Sequence, residues 1–177
     1  MALKDKDKDK VEVVEESKQL VIFKLGDEEF GVDILQVREI EKLDQPITRV
    51  PKSPAFVEGV INLRGEIIPI VDLRKRFGLV VRQTSHEARI IIVDISDGQV
   101  GMVVDSVVEV IRLNASAIEN APPITRGVDA YFLSGVAKIN ERLIILLNLE
   151  RALSPEEVKE LDALKAEEQN DQNGRSE

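Results

Sequence analysis

Val21-Ile22-Phe23-Lys24-Leu25, followed by Phe30-Gly31-Val32, is the stretch that decides the fold, because it occurs twice. Its counterpart 70 residues later is Ile91-Ile92-Val93-Asp94-Ile95, followed by Val100-Gly101-Met102. Pro46-Ile47-Thr48-Arg49 also recurs letter for letter, 77 residues further on. Collinear matches that keep their apolar residues in phase indicate a duplicated unit. The sequence therefore predicts two copies of one fold, with a short insertion in the second copy.

Short runs rich in Val and Ile, separated by turn residues, are typical of an all-β protein. Four hairpins are predicted, in two equivalent pairs, around the turns at residues 26–28, 64–66, 96–98 and 140–142. Residues 34–43 and 104–113 form an intermediate segment in each copy. Each segment reads either as a helical turn leading into a strand or as a strand throughout. About five short strands per copy bury their apolar face best as a small closed barrel, which removes exposed edges.

The predicted organisation is two five-stranded β-barrels in tandem and a C-terminal α-helix. The first barrel repeat covers residues 18–84 and the second covers 85–153. Each unit is near the size at which a lone core is only marginally stable, so the two copies are expected to share a buried seam. Ser154-Pro155-Glu156-Glu157 has the pattern of a capped helix start, which predicts a helix over 154–166. The charged residues 1–17 and the polar residues 167–177 are expected to be disordered tails.

Composition favours a protein partner. The net charge is −9 and aromatic residues make up 3% of the chain, whereas nucleic-acid binding needs clustered cations and stacking rings. Cysteine is absent, which excludes a disulfide framework and a thiolate zinc site. No run reaches the roughly 18 apolar residues of a membrane span, and the alternating Lys and Asp at the start do not resemble an export signal. A cytoplasmic location is expected.

Residues that could support catalysis are few. His86, the single histidine, lies in a polar stretch between the two copies and is expected to be an exposed linker residue. Four aspartates adjoin apolar runs and could supply an acid pair to a small β-barrel hydrolase, although acids at strand ends more often accept backbone N–H bonds: Asp33, Asp72, Asp94 and Asp105. The glycines do not have the spacing of a phosphate-binding loop. The sequence predicts a binding protein with no catalytic residue, metal or cofactor.

The segment Gly59-Val60-Ile61-Asn62-Leu63-Arg64-Gly65-Glu66-Ile67-Ile68-Pro69-Ile70-Val71-Asp72-Leu73 is the most unusual part of the chain. It predicts a hairpin with a guanidinium at its tip, and its strand proline suggests a sheet edge or a bulge. The second copy has Asn140-Glu141-Arg142 at the tip and lacks the Arg-Gly turn. Because the two copies share a core pattern but differ at this polar tip, the tip is a candidate functional site.

This segment resembles the CheW family of bacterial chemotaxis adaptors and is similar to the regulatory domain of the histidine kinase CheA. The resemblance covers residues 19–153 and includes residues 25–40, 54–73 and 100–105. It implies two SH3-like five-stranded barrels that can exchange chain segments, no catalytic activity, and a role in coupling receptors to a kinase. Its implied partners are the CheA regulatory domain and the cytoplasmic tips of methyl-accepting chemotaxis receptors. A CheW-like coupling module of another signalling system is the alternative.

The resemblance also implies two sets of contact residues. Receptor contact falls at Val37, Glu39, Gly59, Asn62, Arg64 and Gly65. Kinase contact falls at Gly101, Val107 and Gly135. Core packing is the competing interpretation for Val37, and a backbone requirement is the competing one for the glycines at 59, 101 and 135.

Overall fold

The computed structural model describes residues 16–81, 83–95, 98–154, 156–157, 159–161 and 163. The protein is mainly β. Its strands are β1 (Ser17–Leu25), β2 (Glu28–Asp33), β3 (Val37–Lys42), β4 (Val57–Leu63), β5 (Glu66–Asp72), β6 (Arg89–Ile95), β7 (Gly98–Val104), β8 (Ser106–Asn114), β9 (Ile118–Glu119), β10 (Ile124–Thr125), β11 (Val128–Asp129), β12 (Leu133–Ile139) and β13 (Arg142–Leu147). The short helices are α1 (Leu73–Arg76) and α2 (Leu149–Ala152).

The two large sheets exchange hairpins between the sequence repeats. Sheet A has the strand order β8-β1-β2-β13-β12-β9, and sheet B has the order β3-β6-β7-β5-β4. Sheet A therefore combines β1 and β2 of the first repeat with strands of the second, and sheet B combines β6 and β7 of the second repeat with strands of the first. The exchanged hairpins join their hosts through parallel pairs, β2 with β13 and β7 with β5. The boundary at residue 84 thus divides the sequence repeat and not the sheets.

The four predicted hairpins are confirmed as β1–β2, β4–β5, β6–β7 and β12–β13. The intermediate segments differ between the copies. In the first copy, a 3-10 turn at Ile34–Gln36 leads into β3, because the Asp33 carboxylate accepts from the Leu35 amide at 2.9 Å and ends β2. In the second copy, β8 is a strand of nine residues. The predicted insertion lies in the chain after β8, where a 3-10 turn at Ala115–Ala117 and β9 occur.

One chain segment runs between the two edge strands of each sheet. In sheet A, β8 pairs with β1 at one edge, and β9, a few residues further along, pairs with β12 at the other. In sheet B, the chain that leaves the edge strand β3 returns at Thr48, which forms a bridge with Val60 of the opposite edge strand β4. The two sheets therefore share the same plan, but among the described strands neither sheet closes on itself, so the predicted closed barrels are not observed.

Among the described residues, the buried apolar side chains form three clusters, and the largest one joins the sheets. Neighbouring residues on one strand point to opposite faces and belong to different clusters. Val21 and Phe23 of β1 lie in the joint cluster, whereas Leu20 and Ile22 lie in a cluster made by sheet A. Sheet B is built in the same way and has its own cluster. This two-sided burial explains why the runs are continuously apolar. It also confirms the predicted shared seam.

The predicted capped helix start is confirmed. Ser154 Oγ accepts from the Glu157 amide at 3.2 Å, and the Glu157 carboxylate accepts from the Ser154 amide at 2.8 Å. Residues 156–157, 159–161 and 163 are helical, and Leu161 is buried. The other predicted contact residues of this helix, Val158 and Leu164, lie outside the described residues. Of the two predicted tails, 1–17 and 167–177, residues 1–15 and 167–177 also lie outside the described residues. Ser17, expected in the first tail, begins β1.

Arg76 anchors this helix to the two sheets. Its guanidinium lies 5.1 Å from the ring centres of both Phe56 and Phe132, which occupy equivalent positions in the two copies. It also donates to the Ala152 carbonyl at 2.8 Å and to the Glu157 carboxylate at 3.0 Å. The C-terminal segment is therefore held by a cation that contacts both copies.

Candidate partner-binding site

The central feature of the candidate site is an ion pair between Arg64 and Glu39. One guanidinium nitrogen of Arg64 donates to both carboxylate oxygens of Glu39, at 2.5 and 2.7 Å. Glu39 lies on β3 and Arg64 lies in the β4–β5 turn, so the pair spans the two edge strands of sheet B. A second acid, Glu41, approaches the other terminal nitrogen of Arg64 at 3.7 Å.

The ion pair remains open to solvent. The Arg64 side chain is 66% exposed, and those of Glu39 and Glu41 are about one-third exposed. The hydrogen bond from Arg64 lowers the pKa of Glu39, and the same bond raises the pKa of Arg64. Both groups are therefore charged at neutral pH. An arginine has five N–H donors, so this exposed guanidinium can still bind a polar partner.

The backbone of the β4–β5 turn holds Arg64 in place. Arg64 and Gly65 have φ values of 52° and 87°, which are typical of a two-residue hairpin turn. The Asn62 side chain, exposed on β4, accepts from the Gly65 amide at 2.9 Å. The sequence-predicted residues Asn62, Arg64 and Gly65 are thus brought together with Glu39.

Val37 and Gly59 are the two other predicted receptor residues, and both pack within the protein. Val37 is half-buried and packs against the joint core, and a register shift after it places Val37 opposite Val93 and Glu39 opposite Ile92 of β6. Gly59 is buried, and a Cβ there would lie 2.1 Å from the Thr48 carbonyl oxygen. The backbone of Thr48 exchanges hydrogen bonds of 2.8 and 2.9 Å with Val60. Gly59 therefore has a structural role, since it permits the chain at Thr48 to approach β4 closely.

The residues predicted to face the kinase lie on three strands in two sheets. Gly101 is buried on β7 in sheet B, where a Cβ would lie 2.5 Å from Ile70 Cδ1. Gly135 is buried on β12 in sheet A, where a Cβ would lie 2.6 Å from the Glu119 carbonyl oxygen. Val107 is half-buried on β8 and packs against the joint core. Close packing within each sheet accounts for both glycines.

The second copy contains an arginine–glutamate pair that the sequence comparison missed. Arg142, two residues beyond the position that matches Arg64, donates to Glu109 at 2.7 Å, and Glu109 matches Glu39 at the offset of 70. Arg142 also donates to both oxygens of Glu29, at 2.9 and 3.1 Å. The second copy does lack the Arg-Gly turn, as predicted, but Arg142 at the start of β13 supplies a guanidinium to the matching glutamate. Arg142 is only 37% exposed and two carboxylates engage it, so its role is to join strands.

The four strand-end aspartates form hydrogen bonds and ion pairs within the fold. Asp33 and Asp72 accept from the amides two residues ahead, at 2.9 Å in each case, and Asp105 accepts from the Gly26 amide at 2.6 Å. Asp94 pairs with Arg38 on the surface. Among the described residues, no three His, Cys, Asp or Glu side chains are grouped to hold a metal ion. His86 is exposed, as predicted.

Sequence reasoning missed Glu41 as the third member of the site. Its signal was present, because Glu39 and Glu41 alternate along a strand and so share one face. Within the described parts of the chain, no helix combines the length and apolar character needed to cross a membrane.

The fold and this site together define an all-β module with an exposed charged group suited to protein binding. Comparison with known proteins specifies the class further. Residues 19–157 match the CheW-like domain family. The chemotaxis protein CheW of Klebsiella aerogenes is 40% identical over 146 residues, which cover 81% of this chain and 86% of that protein. CheW of Treponema pallidum is 35% identical over 155 residues, covering 84% of this chain and 89% of that protein.

A solved structure supports the same assignment. The scaffolding protein CheW of Thermoanaerobacter tengcongensis superposes with a TM-score of 0.73 at 44% identity, covering 78% of this chain and 89% of that one. The chain belongs to the CheW-like domain family. It is a non-enzymatic scaffold protein of chemotaxis signalling.

Proposed function

We propose that this chain couples the cytoplasmic tips of chemotaxis receptors to the regulatory domain of the histidine kinase CheA. It would act in the cytoplasm and would control the kinase by holding both partners in a fixed geometry. The observation that carries the proposal is the exposed Arg64–Glu39 pair, held on a rigid turn within a chain of the CheW-like family.

The receptor would bind at the group formed by Val37, Glu39, Gly59, Asn62, Arg64 and Gly65. A helical receptor tip suits this surface because Val37 offers apolar contact while Arg64 and Glu39 offer charge-assisted hydrogen bonds. Gly59 would act indirectly, since it lets the chain at Thr48 pack closely against β4.

The kinase would bind on the side that carries Val107, on β8 of sheet A. Gly101 and Gly135 are buried, so they would support this surface through the packing of β7 and β12. The fold required is a pair of SH3-like barrels. The sheets as observed are open, with edge strands β8 and β9 in sheet A and β3 and β4 in sheet B, and the hairpin exchange makes each sheet depend on both sequence repeats.

A binding experiment with both partners tests the proposal. The purified chain is immobilised and incubated with a receptor signalling tip, with the CheA regulatory domain, and with both together. Simultaneous capture of both partners is expected, because the Arg64–Glu39 pair lies on sheet B whereas Val107 lies on sheet A. Capture of neither partner would overturn the proposal. It would favour the alternative that the chain is a coupling module of another signalling system. Mutually exclusive capture would overturn the positional mechanism.

A further inference from the structure

A buried arginine connects the two sheets. Arg74, in α1, is only 4% exposed in its side chain and donates to both oxygens of Asp72, at 3.1 and 2.9 Å. It also donates to Asp105 at 2.9 Å. The other oxygen of Asp105 accepts from the Gly26 amide at 2.6 Å. Since Asp72 ends β5 in sheet B and Gly26 lies in the β1–β2 turn of sheet A, these bonds link one sheet to the other.

Asp105 occupies the point at which the chain passes from sheet B to sheet A. It lies between β7 and β8, and its amide donates to the Lys24 carbonyl of β1 at 3.0 Å. The chain makes the reverse passage between β2 and β3. There the position that matches Asp105 is Leu35, which is 87% exposed on a 3-10 turn. One passage is therefore fixed by the partly buried Asp105 and its buried partner Arg74, and the other is an exposed turn.

The duplication shows that the fold does not require this network in both copies. At the offset of 76, Asn148 takes the place of Asp72 and Glu150 takes the place of Arg74. A buried ion pair is also weak support for stability, because removing the charges from water offsets much of their attraction. Its directional hydrogen bonds instead specify one relative arrangement of the groups that they join.

We infer that Arg74 is a positioning residue that fixes sheet B, which carries the Arg64–Glu39 group, relative to β8 of sheet A. Val107 lies on β8 two residues after Asp105, so a displacement of Asp105 would move the kinase-facing strand. The inference rests on the proposed function, because it assigns to Arg74 the transmission of receptor binding to the kinase surface. It adds a residue that contacts neither partner.

The first test examines the network in the chain without partners. We expect the Gly26 amide to exchange with deuterium at least about tenfold faster in Asp105→Ala, because its acceptor is lost. Arg74→Lys should produce a smaller acceleration, since a lysine cannot reproduce the planar fork that joins two carboxylates. Asp94→Ala, which removes an exposed acid, is the matched control and should leave Gly26 unchanged. Unchanged exchange in both network variants would overturn the inference.

The second test measures coupling between the partners. The affinity for the CheA regulatory domain is measured with and without a saturating receptor tip, for the wild type, Arg74→Lys and Asp105→Asn. Coupling between two binding sites is typically about 5- to 150-fold. We expect the two variants to keep each separate affinity within about twofold of the wild type, while the coupling factor falls towards one.

The outcomes separate the two proposals. A wild type that binds neither partner defeats the proposed function itself. A wild type that binds both partners without any coupling, or folded variants that retain wild-type coupling, would overturn the role of Arg74. Separate affinities that fall in parallel with thermal stability would also overturn it, because that result describes a structural residue. Asp105→Asn retains a side-chain acceptor for the Gly26 amide, so it keeps the test valid if Arg74→Lys fails to fold.

Discussion

Arg64 donates to Glu39 across the two edge strands of sheet B, and both side chains remain accessible to a partner. The pair couples the conformation of the β4–β5 turn to β3. It presents adjacent positive and negative groups at a fixed separation, which suits recognition of a polar helix surface.

Replacement of Arg64 tests the receptor surface. Arg64→Asp should weaken receptor-tip binding at least tenfold, because an exposed arginine at the centre of a contact is commonly a hot spot. The fold should be retained, since turn tips tolerate polar residues. Arg126→Asp is the matched control: Arg126 also begins a two-residue hairpin turn, with φ of 51°. Titration calorimetry that gives equal receptor affinities for the two variants would refute the assignment.

The pKa of Glu39 provides a second test of the Arg64–Glu39 ion pair. The hydrogen bond from Arg64 lowers the pKa of Glu39 below its ordinary value of 4.5. The pair therefore stabilises the fold above the pKa of an unfolded glutamate, and this contribution is lost as the pH falls through the lowered folded value. Carboxylate NMR shifts should show the pKa of Glu39 rising in Arg64→Gln. An unchanged titration would mean that the contact does not persist in solution.

Arg142 should behave differently from Arg64 despite their similar partners. Arg142→Gln is expected to lower the free energy of unfolding by about 0.5–1 kcal/mol, because it removes a partly exposed contact among β13, β2 and β8. Receptor affinity should stay within about twofold of the wild type. Chemical denaturation and the same calorimetric titration check both parts. A selective loss of receptor binding would show that sheet A carries a second receptor surface.

Gly59 should prove essential to the fold. Gly59→Ala places a Cβ against the Thr48 carbonyl at a φ of 143°, so we expect a loss of about 2–4 kcal/mol in the free energy of unfolding. Gly65→Asn is the control, because nothing lies within 4 Å of a Cβ there and asparagine tolerates its left-handed backbone. Its cost should be below about 1 kcal/mol. Equal denaturation midpoints would contradict the structural role of Gly59.

The capped start of the C-terminal helix gives a local prediction. Ser154→Ala removes the hydroxyl that accepts from the Glu157 amide and should cost about 1 kcal/mol. Hydrogen–deuterium exchange of the Glu157 amide should accelerate, whereas the amides of β6 should remain protected from exchange. Ser134→Ala, at an exposed position on β12, is the control. Equal exchange at Glu157 in the two variants would show that the cap does not hold this helix.

The sequence determined the features that depend on neighbouring residues. The Val and Ile runs, with turn residues between them, were sufficient to locate the four hairpins, and Ser154 with Glu157 was sufficient to locate a helix start. The matching phase of the two repeats revealed the duplication. Local periodicity and turn chemistry fix these features, so they could be read without knowing which strands would meet. The resemblance also placed Asn62, Arg64 and Glu39 in one site, and the first two adjoin one turn.

Only the tertiary structure decided which hairpin enters which sheet. The β1–β2 and β6–β7 hairpins have matching apolar patterns, so the sequence alone could assign either one to either sheet. The exchange, the substitution of Arg142 for the missing tip arginine, and the burial of Arg74 between Asp72 and Asp105 all depend on contacts between distant parts of the chain. Such contacts are selected by the packing of the whole core, because strands such as β1, β5 and β6 bury apolar residues on both faces at once.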